Sequence, residues 1–245
     1  MSNSPLVTYT KLSPNYGART KKIRKITPHH MAGKGTVEQC GEGFAARSRK
    51  ASANYGIDSV GHVGMYVEEK NRSWASSSTA NDDEAITIEV ANDEVGGQWH
   101  VSDVALAKLI DLCEDICRRN GIEKLVFTGD KKGNLTQHNY FAATACPGPY
   151  LKSKFPYIAE QVNARLGGAP ATPATPSPVE DAVKLPYKVR VIASELNIRS
   201  GPGTKFTVTG SIKDKGVYTI IAVQNGWGKL KSGAGWISLS FTQKV

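Results

Sequence analysis

No stretch of this chain approaches the roughly 20 consecutive apolar residues that a membrane-spanning helix needs. Its opening run, Met1-Ser2-Asn3-Ser4-Pro5-Leu6-Val7-Thr8-Tyr9, lacks the apolar core of a secretory signal. The expectation is a soluble protein made in a cytosol with no export signal of its own. Cysteine is scarce as well. The four cysteines are Cys40, Cys113, Cys117 and Cys146, with none beyond, which excludes a disulfide-stapled scaffold. Acidic residues thin out towards the C-terminus. Residues 179–245 carry 10 Lys/Arg against 4 Asp/Glu, net +6, whereas residues 1–167 carry 21 against 18, net +3. A basic C-terminal part favours polyanions: nucleic acid, anionic membrane, or phosphate-bearing wall polymers.

What is present is enough for a core. Hydrophobic residues make up 40% of 245, which excludes wholesale disorder and allows one large domain, or one of about 150 residues plus a small one. Up to residue 167, strand and helix signals alternate. Residues 21–27 read as a strand running into Pro28-His29-His30. Thr36 and Gln39 have the spacing of a capping box, opening a short helix at Val37. Residues 62–67 alternate as a strand, and the polar stretch 71–83 reads as a loop. Ala85-Ile86-Thr87-Ile88-Glu89-Val90-Ala91 is the clearest strand, with Ile86, Ile88 and Val90 on one face and Thr87 and Glu89 on the other. Ser102 caps a helix over 103–120 that Gly121 ends, with Leu106, Leu109, Ile110, Cys113, Ile116 and Cys117 as its apolar stripe. A strand over 124–128 and a helix over 156–166, with proline in its first turn, complete the region.

The fold class expected here is α/β, a central mixed sheet flanked by helices, over residues 1–167. Residues 168–183 form a Pro/Ala/Thr-rich linker, extended and semi-rigid. From 184 to 245 only short strands follow, at 187–192, 196–199, 208–212, 218–224, 227–231 and 235–237, joined by Gly-Pro-Gly, Asn-Gly and Ser-Gly-Ala-Gly turns. That pattern predicts a small all-β barrel. The aromatic residues accompanying its charge are of barrel type, which counts against nucleic acid.

The chemistry centres on His138 and Cys146, eight positions apart, with Pro147-Gly148 closing a turn behind the cysteine. Imidazole nitrogen and thiolate sulfur are common zinc donors. His29 and His30 offer a third donor. Neighbours on an extended chain face opposite sides, so one of them can join a given site; alternatively, the pair is an exposed polar turn. His, His and Cys would leave zinc a fourth, open position, the arrangement of catalytic sites. Glu89, mid-strand between apolar neighbours, reads either as a general base beside the metal or as a solvated residue on an edge strand. The Thr144 hydroxyl either faces the open position or hydrogen-bonds the local backbone. Cys113 and Cys117, one turn apart, read as core, as does Cys40. His62 reads as structural or as groove lining, and His100 as incidental.

Ile26-Thr27-Pro28-His29-His30-Met31-Ala32-Gly33, then Thr87-Ile88-Glu89-Val90, then His138 with Thr144-Ala145-Cys146-Pro147-Gly148, together resemble the zinc-dependent N-acetylmuramoyl-L-alanine amidases related to peptidoglycan recognition proteins. The resemblance covers about residues 20–166. It implies His29, His138 and Cys146 as the zinc ligands, with Met31 where threonine is usual and His30 on the opposite face. The tyrosine that some members carry before the histidine of the second strand is replaced by Gly61, before His62. The lysine that some carry two before the last ligand is replaced by Thr144. Glu89 is thereby the better candidate for the base, and Thr144 for oxyanion stabilisation. The run Leu196-Asn197-Ile198-Arg199-Ser200-Gly201-Pro202-Gly203-Thr204, with Gly226-Trp227-Gly228 and Gly235-Trp236-Ile237, resembles a bacterial SH3-like wall-binding domain.

The architecture is similar to a phage endolysin for a Gram-positive host, held in the host cytoplasm until lysis and then acting at the wall. The resemblance implies Zn2+ as cofactor and peptidoglycan as substrate and wall ligand. Anionic wall polymers are a further partner; nucleic acid, membrane and self-association are not expected. The implied reaction is hydrolysis of the amide between N-acetylmuramic acid and L-alanine. A non-catalytic wall-binding protein and a zinc endopeptidase are the rival readings.

Overall fold

The computed structural model describes residues 2–167 and 185–245, apart from Ser194, Thr204, Lys205, Asn225 and Gly226, and leaves out the side chains of Ser240 and Lys244. The chain divides into two compact units, Met1–Ala171 and Thr172–Val245. The linker expected at 168–183 lies outside the described residues.

The first unit runs β1 (Tyr9–Thr10), β2 (Tyr16–Ala18), β3 (Lys25–His30), α1 (Val37–Ala45), β4 (Tyr55–Ile57), β5 (Val63–Met65), β6 (Asn71–Ser73), α2 (Thr79–Glu84), β7 (Ala85–Val90), α3 (Asp103–Asn120) and α4 (Pro149–Leu166). Five strands form a mixed sheet in the order β1-β5-β4-β7-β3. β7 lies between β4 and β3, parallel to both, while β4 and β5 are antiparallel. Glu89 therefore sits on a central strand, not an edge. Ile86, Ile88 and Val90, all fully buried, pack with Tyr55, Ile57 and the α3 stripe from Ala105 to Cys117. On the opposite face Gly56 lies under the ring of Tyr66, whose hydroxyl donates to Val37 O of α1 at 2.8 Å. The sheet is thus sandwiched between α1 and α3.

Two helices begin where their caps predict. Thr36 and Gln39 form the reciprocal capping box of α1, and Ser102 accepts from Ala105 N–H at the start of α3. Gly121, at φ 66°, closes α3. Elsewhere the chain departs from the sequence reading. β3 begins at Lys25 and carries both histidines in its ladder, so His29 and His30 are strand residues, not an exposed turn. The polar stretch 71–83 is not a loop: it supplies β6, paired with β2, and opens α2. α2 escaped notice because its inward face is polar. Asn81 and Asp82 are buried there, bonding Thr27 and Ser76, so no apolar period marks it.

Residues 124–128 are not a strand. The place beside β3 is taken by Asn134–Thr136, which exchange backbone bonds with Ile26. The 124–128 backbone is satisfied instead by side chains, Asn163 bracketing Leu125 at 2.7 Å on both sides and Asn134 bonding Val126 N–H and Lys124 O. The last helix starts at Pro149, seven residues before the Pro156 start that the sequence predicts. Pro149 is the helix's first residue and Pro156 lies inside. An interior proline costs roughly 3 kcal/mol; burial of Leu151, Phe155, Ile158 and Val162 overrides it.

The second unit contains β8 (Tyr187–Val191), β9 (Leu196–Arg199), β10 (Val208–Ile212), β11 (Val217–Gln224), β12 (Trp227–Leu230), β13 (Trp236–Ser238) and β14 (Thr242–Lys244). They form one antiparallel sheet in the order β10-β9-β13-β12-β11-β8-β14. Its core is Val189, Val191, Leu196, Ile212, Ile220, Leu230 and Ile237, and Trp227 is buried too. β14 is an addition to the six expected strands. Among the described residues no helix is long and apolar enough to cross a membrane.

One buried ion pair anchors the N-terminal segment to the first unit. The Glu69 side chain is fully buried. It accepts from Tyr55 Oη at 2.6 Å and from both terminal nitrogens of Arg119 at 2.6 and 2.9 Å. Asn3 Oδ1 accepts from Glu69 N–H, Tyr55 Oη accepts from Ser4 N–H, and Arg119 also donates to Ser2 O. Glu69→Ala would leave the Tyr55 hydroxyl without its acceptor and Arg119 with Asp115 as its remaining carboxylate, so it should lower the unfolding free energy by about 3 kcal/mol. Denaturant unfolding measures it; a change below about 0.5 kcal/mol would contradict the network's role.

Candidate metal centre and groove

His29 and Glu89 are register partners across the parallel pair β3–β7, as are Thr27 and Thr87 two residues earlier. Paired residues share a face, so both project from the carboxyl ends of adjacent strands onto the α1 side of the sheet. Open α/β sheets bind ligands at that end. His138 opens a short 3-10 turn over 138–140, held near β3 because Thr136 N–H donates to Ile26 O. Cys146 arrives from the loop that leads into α4.

Gly148 shapes the arrival of that loop. Its φ is 80°, and a Cβ there would lie 3.0 Å from the His30 ring. A side chain at 148 would meet both backbone strain and a clash. His30 itself turns away from the cluster, edge-on to Trp99 at 5.4 Å between centroids.

The three donors converge. One ligand atom from each of His29, His138 and Cys146 lies within 4.8 Å of the others. Cys146 Sγ is 3.4 Å from His29 Nδ1, and the two imidazoles stand 4.8 Å apart at 55°. Tetrahedral zinc, with bonds of about 2.1 Å to nitrogen and 2.3 Å to sulfur, sets such N and S ligands about 3.6 Å apart. His29 Nε2, His138 Nε2 and Glu89 Oε2 are buried with no hydrogen-bond partner. Unpaired buried polar atoms are costly, and their presence on residues of this cluster fits a site that takes a cation. The N/S donor set suits zinc.

The electrostatics favour neutral nitrogen donors. Burial lowers the pKa of His29 to about 3, helped by the neighbouring His138 and His30. Burial also lowers that of His138, against the attraction of Asp82. Burial raises the Cys146 thiol, as does the Glu89 charge, while the His30 backbone N–H opposes them. Glu89 keeps part of its surface in the groove, but its Oε2 is out of solvent. Burial pushes its pKa up to about 8, and Arg49 pulls the other way. These groups line a groove of about 610 Å³, walled by Gln39 and Cys40 of α1, Arg49, Trp74 and Thr144. The Thr144 hydroxyl accepts from Cys146 N–H at 3.2 Å, which leaves its own proton free to donate.

The sequence reading missed the layer beneath. Thr27, two residues before His29, meets Thr136, two before His138, through hydroxyls 2.8 Å apart. Asn81 donates to Thr27 and to Ser76, which donates to Asp82. This buried chain of hydrogen bonds ties the two histidine-bearing segments together; the equal spacing of the two threonines was its one trace in the sequence. His62 stands outside the groove, with Nδ1 2.9 Å from Asp58 Oδ2. His100 pairs with Asp93 and stacks on Tyr150. Cys113 and Cys117 are free and buried in the core. Cys40 is free and partly buried on the groove wall, its thiol pushed by burial up to about 12.

Comparison with known proteins agrees with this layout. Residues 19–149 match the family described as N-acetylmuramoyl-L-alanine amidase, and residues 194–243 match the bacterial SH3 domain. Similar solved structures include the Staphylococcus aureus hydrolase AmiA with its ligand, at 15% identity and TM-score 0.52, over 68% of this chain and 85% of that one. The PlyG catalytic domain aligns at 15% identity and TM-score 0.52, over 67% and 98%. A mutant endolysin from Bacillus subtilis aligns at 15% identity and TM-score 0.50, over 63% and 97%. At these identities the likeness concerns the fold. No curated protein matches the sequence.

A proton count tests the donor set. Near pH 7 both imidazoles are already neutral, while the Cys146 thiol and the neighbouring Glu89 carboxyl are protonated. In Glu89→Gln, which removes the second proton source, filling the site with Zn2+ should therefore displace about one proton from Cys146. Affinity should then rise with pH, about tenfold per unit below the thiol pKa. Calorimetric titration of metal-free Glu89→Gln in buffers of different ionisation enthalpy reads the number. A value near zero would mean that the thiol is not a ligand.

Proposed function

The chain belongs to the N-acetylmuramoyl-L-alanine amidase family, and on that premise we propose that it hydrolyses the amide between the lactyl group of N-acetylmuramic acid and L-alanine, using one Zn2+. The observation that carries this reading is the convergence of three N/S donors within 4.8 Å beside a buried, unpartnered carboxylate. His29, His138 and Cys146 would hold the ion. Bound there, it would supply Lewis acidity to the scissile carbonyl and lower the pKa of a water molecule.

Glu89 is the base in this proposal. Its carboxylate takes a proton from the attacking water and returns it to the leaving amine. The C–N bond breaks, the lactyl carbon gains the hydroxyl and the alanine nitrogen gains the hydrogen. A carboxyl pKa raised towards neutrality suits both halves of that transfer. Thr144, with its hydroxyl proton unused, donates to the oxyanion of the tetrahedral intermediate. The SH3 unit supplies wall attachment. A lytic role at a Gram-positive wall, a phage origin and residence in the host cytoplasm before lysis belong to the same proposal. They are supported by the pairing of an amidase with a bacterial SH3 domain.

Two substitutions separate metal from base. Cys146→Ser should reduce bound zinc to a small fraction of one per chain and abolish lysis of purified walls. Full activity of that variant without metal would overturn the assignment. Glu89→Gln should retain zinc and lose at least about 100-fold in rate on a soluble muramoyl-peptide. The working form of Glu89 is the anion, so the wild-type rate should rise with pH through its pKa. Burial places that value above the ordinary carboxylate range and a bound cation brings it below about 8. The same acid limb in Glu89→Gln would assign it elsewhere.

A further inference from the structure

Residues 185–245 contain nine Lys/Arg and only two Asp/Glu, Glu195 and Asp214. Both carboxylates are engaged locally, Glu195 with Lys213 at 3.8 Å and Asp214 as acceptor from the Tyr218 hydroxyl. The rest of the positive charge is not spread evenly. On β8, Val189 and Val191 point into the core, while Lys188 and Arg190 between them are exposed. On β12, Leu230 points inward and Lys229 outward. Lys231 follows on the outward side, its N–H bonded to Thr219 O.

β11 lies between these strands. Thr219 is the register partner of Lys188, and Val217 that of Arg190, while Ala222 partners Lys229 on the other edge of β11. Lys188, Arg190, Lys229 and Lys231 therefore share the outward face of three adjacent strands, with small or aliphatic residues between them. None of the four side chains has a hydrogen bond or ion pair among the described residues. Four unpaired cations on one face repel each other, and an anionic partner removes that cost.

We propose that this face of β8, β11 and β12 is a docking surface for a linear phosphodiester polymer of the bacterial wall, a polyol phosphate chain lying across the strands. Successive outward residues on a strand are roughly 7 Å apart and alternate strands roughly 10 Å apart. Long flexible lysines at that spacing can reach several phosphates of one flexible chain. Single-stranded nucleic acid fits less well. Its binding surfaces carry a series of stacking rings, whereas the β11 residues paired with these cations are Thr219, Val217 and Ala222. The proposal rests on the reading of this chain as a wall hydrolase. Hydrolysis of a soluble muramoyl-peptide, which needs no wall attachment, tests that reading separately.

The experiment is co-sedimentation of the full chain with purified Gram-positive walls. The walls are used intact and after hydrofluoric acid has removed their phosphodiester polymers. Stripping should weaken binding at least tenfold, and soluble poly(glycerol phosphate) should compete on intact walls. Lys188→Glu with Arg190→Glu, and separately Lys229→Glu with Lys231→Glu, should each cause a comparable loss on intact walls and little further loss on stripped ones. Both should leave hydrolysis of the soluble muramoyl-peptide unchanged. Lys213→Glu with Lys215→Glu makes the same charge change off this face and should bind within about threefold of the parent chain. Four contacted phosphates predict a log–log salt slope near −3, taking about −0.7 per contact as for a single-stranded polyanion. Equal binding to stripped and intact walls would overturn the proposal, as would face variants that bind like the parent. Equal loss in the off-face pair would assign the effect to net charge alone. Tighter binding to DNA than to poly(glycerol phosphate) at equal phosphate would assign the face to nucleic acid.

Discussion

The groove depends on the register of one parallel strand pair. β3 and β7 align His29 with Glu89, and each strand alternates strictly between the core and the α1 side. A slip of one residue would exchange the faces. A slip of β7 would put Glu89 on the α3 side in place of Ile86, Ile88 and Val90, and a slip of β3 would put His30 in place of His29. What forbids the slip is that Ile26, Ile86, Ile88 and Val90 are fully buried; moving them to the polar face would cost about 1.5–3 kcal/mol each. The core thereby fixes the chemistry without touching it. Once the register is set, the segment carrying His138 is drawn in by backbone bonds to Ile26 and by the Thr27–Thr136 contact. Cys146 follows through the turn at Gly148.

The same constraint explains why the site is built against local stability. Two imidazole nitrogens and a carboxylate oxygen lie out of solvent without partners, an arrangement that apolar residues of similar size would not penalise. Functional sites are where sequences break the rule of satisfied polar groups. The penalty falls on a rigid scaffold, the sheet centre backed by α3, and the second unit has its own separate core.

Much of this was legible in the sequence, for identifiable reasons. β7 was readable because its alternation is clean, and α3 because its stripe, its serine cap and its closing glycine agree. The donor trio was recognisable as a pattern of residue types with fixed local spacing. What stayed hidden was structure whose buried side is polar or whose backbone is satisfied by side chains. α2 buries Asn81 and Asp82 rather than leucines, so it resembled a loop. Residues 124–128 have strand composition but no ladder to join, because Asn134–Thr136 occupy the neighbouring position. Pro156 carried a false start signal for α4, since the same residue type at Pro149 opens the helix seven positions earlier. The threonine contact beneath the histidines joins residues 109 apart in sequence, a pairing that no local pattern announces.

The most direct test is a mass spectrum of the products released from purified peptidoglycan by the full chain, with and without prior chelation. Cleavage at the lactyl–alanine amide by a metal held in the donor trio predicts glycan strands bearing a free lactyl carboxylate, peptides with a new L-alanine amino terminus, and loss of both on chelation. Products that keep the lactyl–alanine bond and carry new amines within the cross-bridge would contradict it, as would an undiminished yield from the chelated protein.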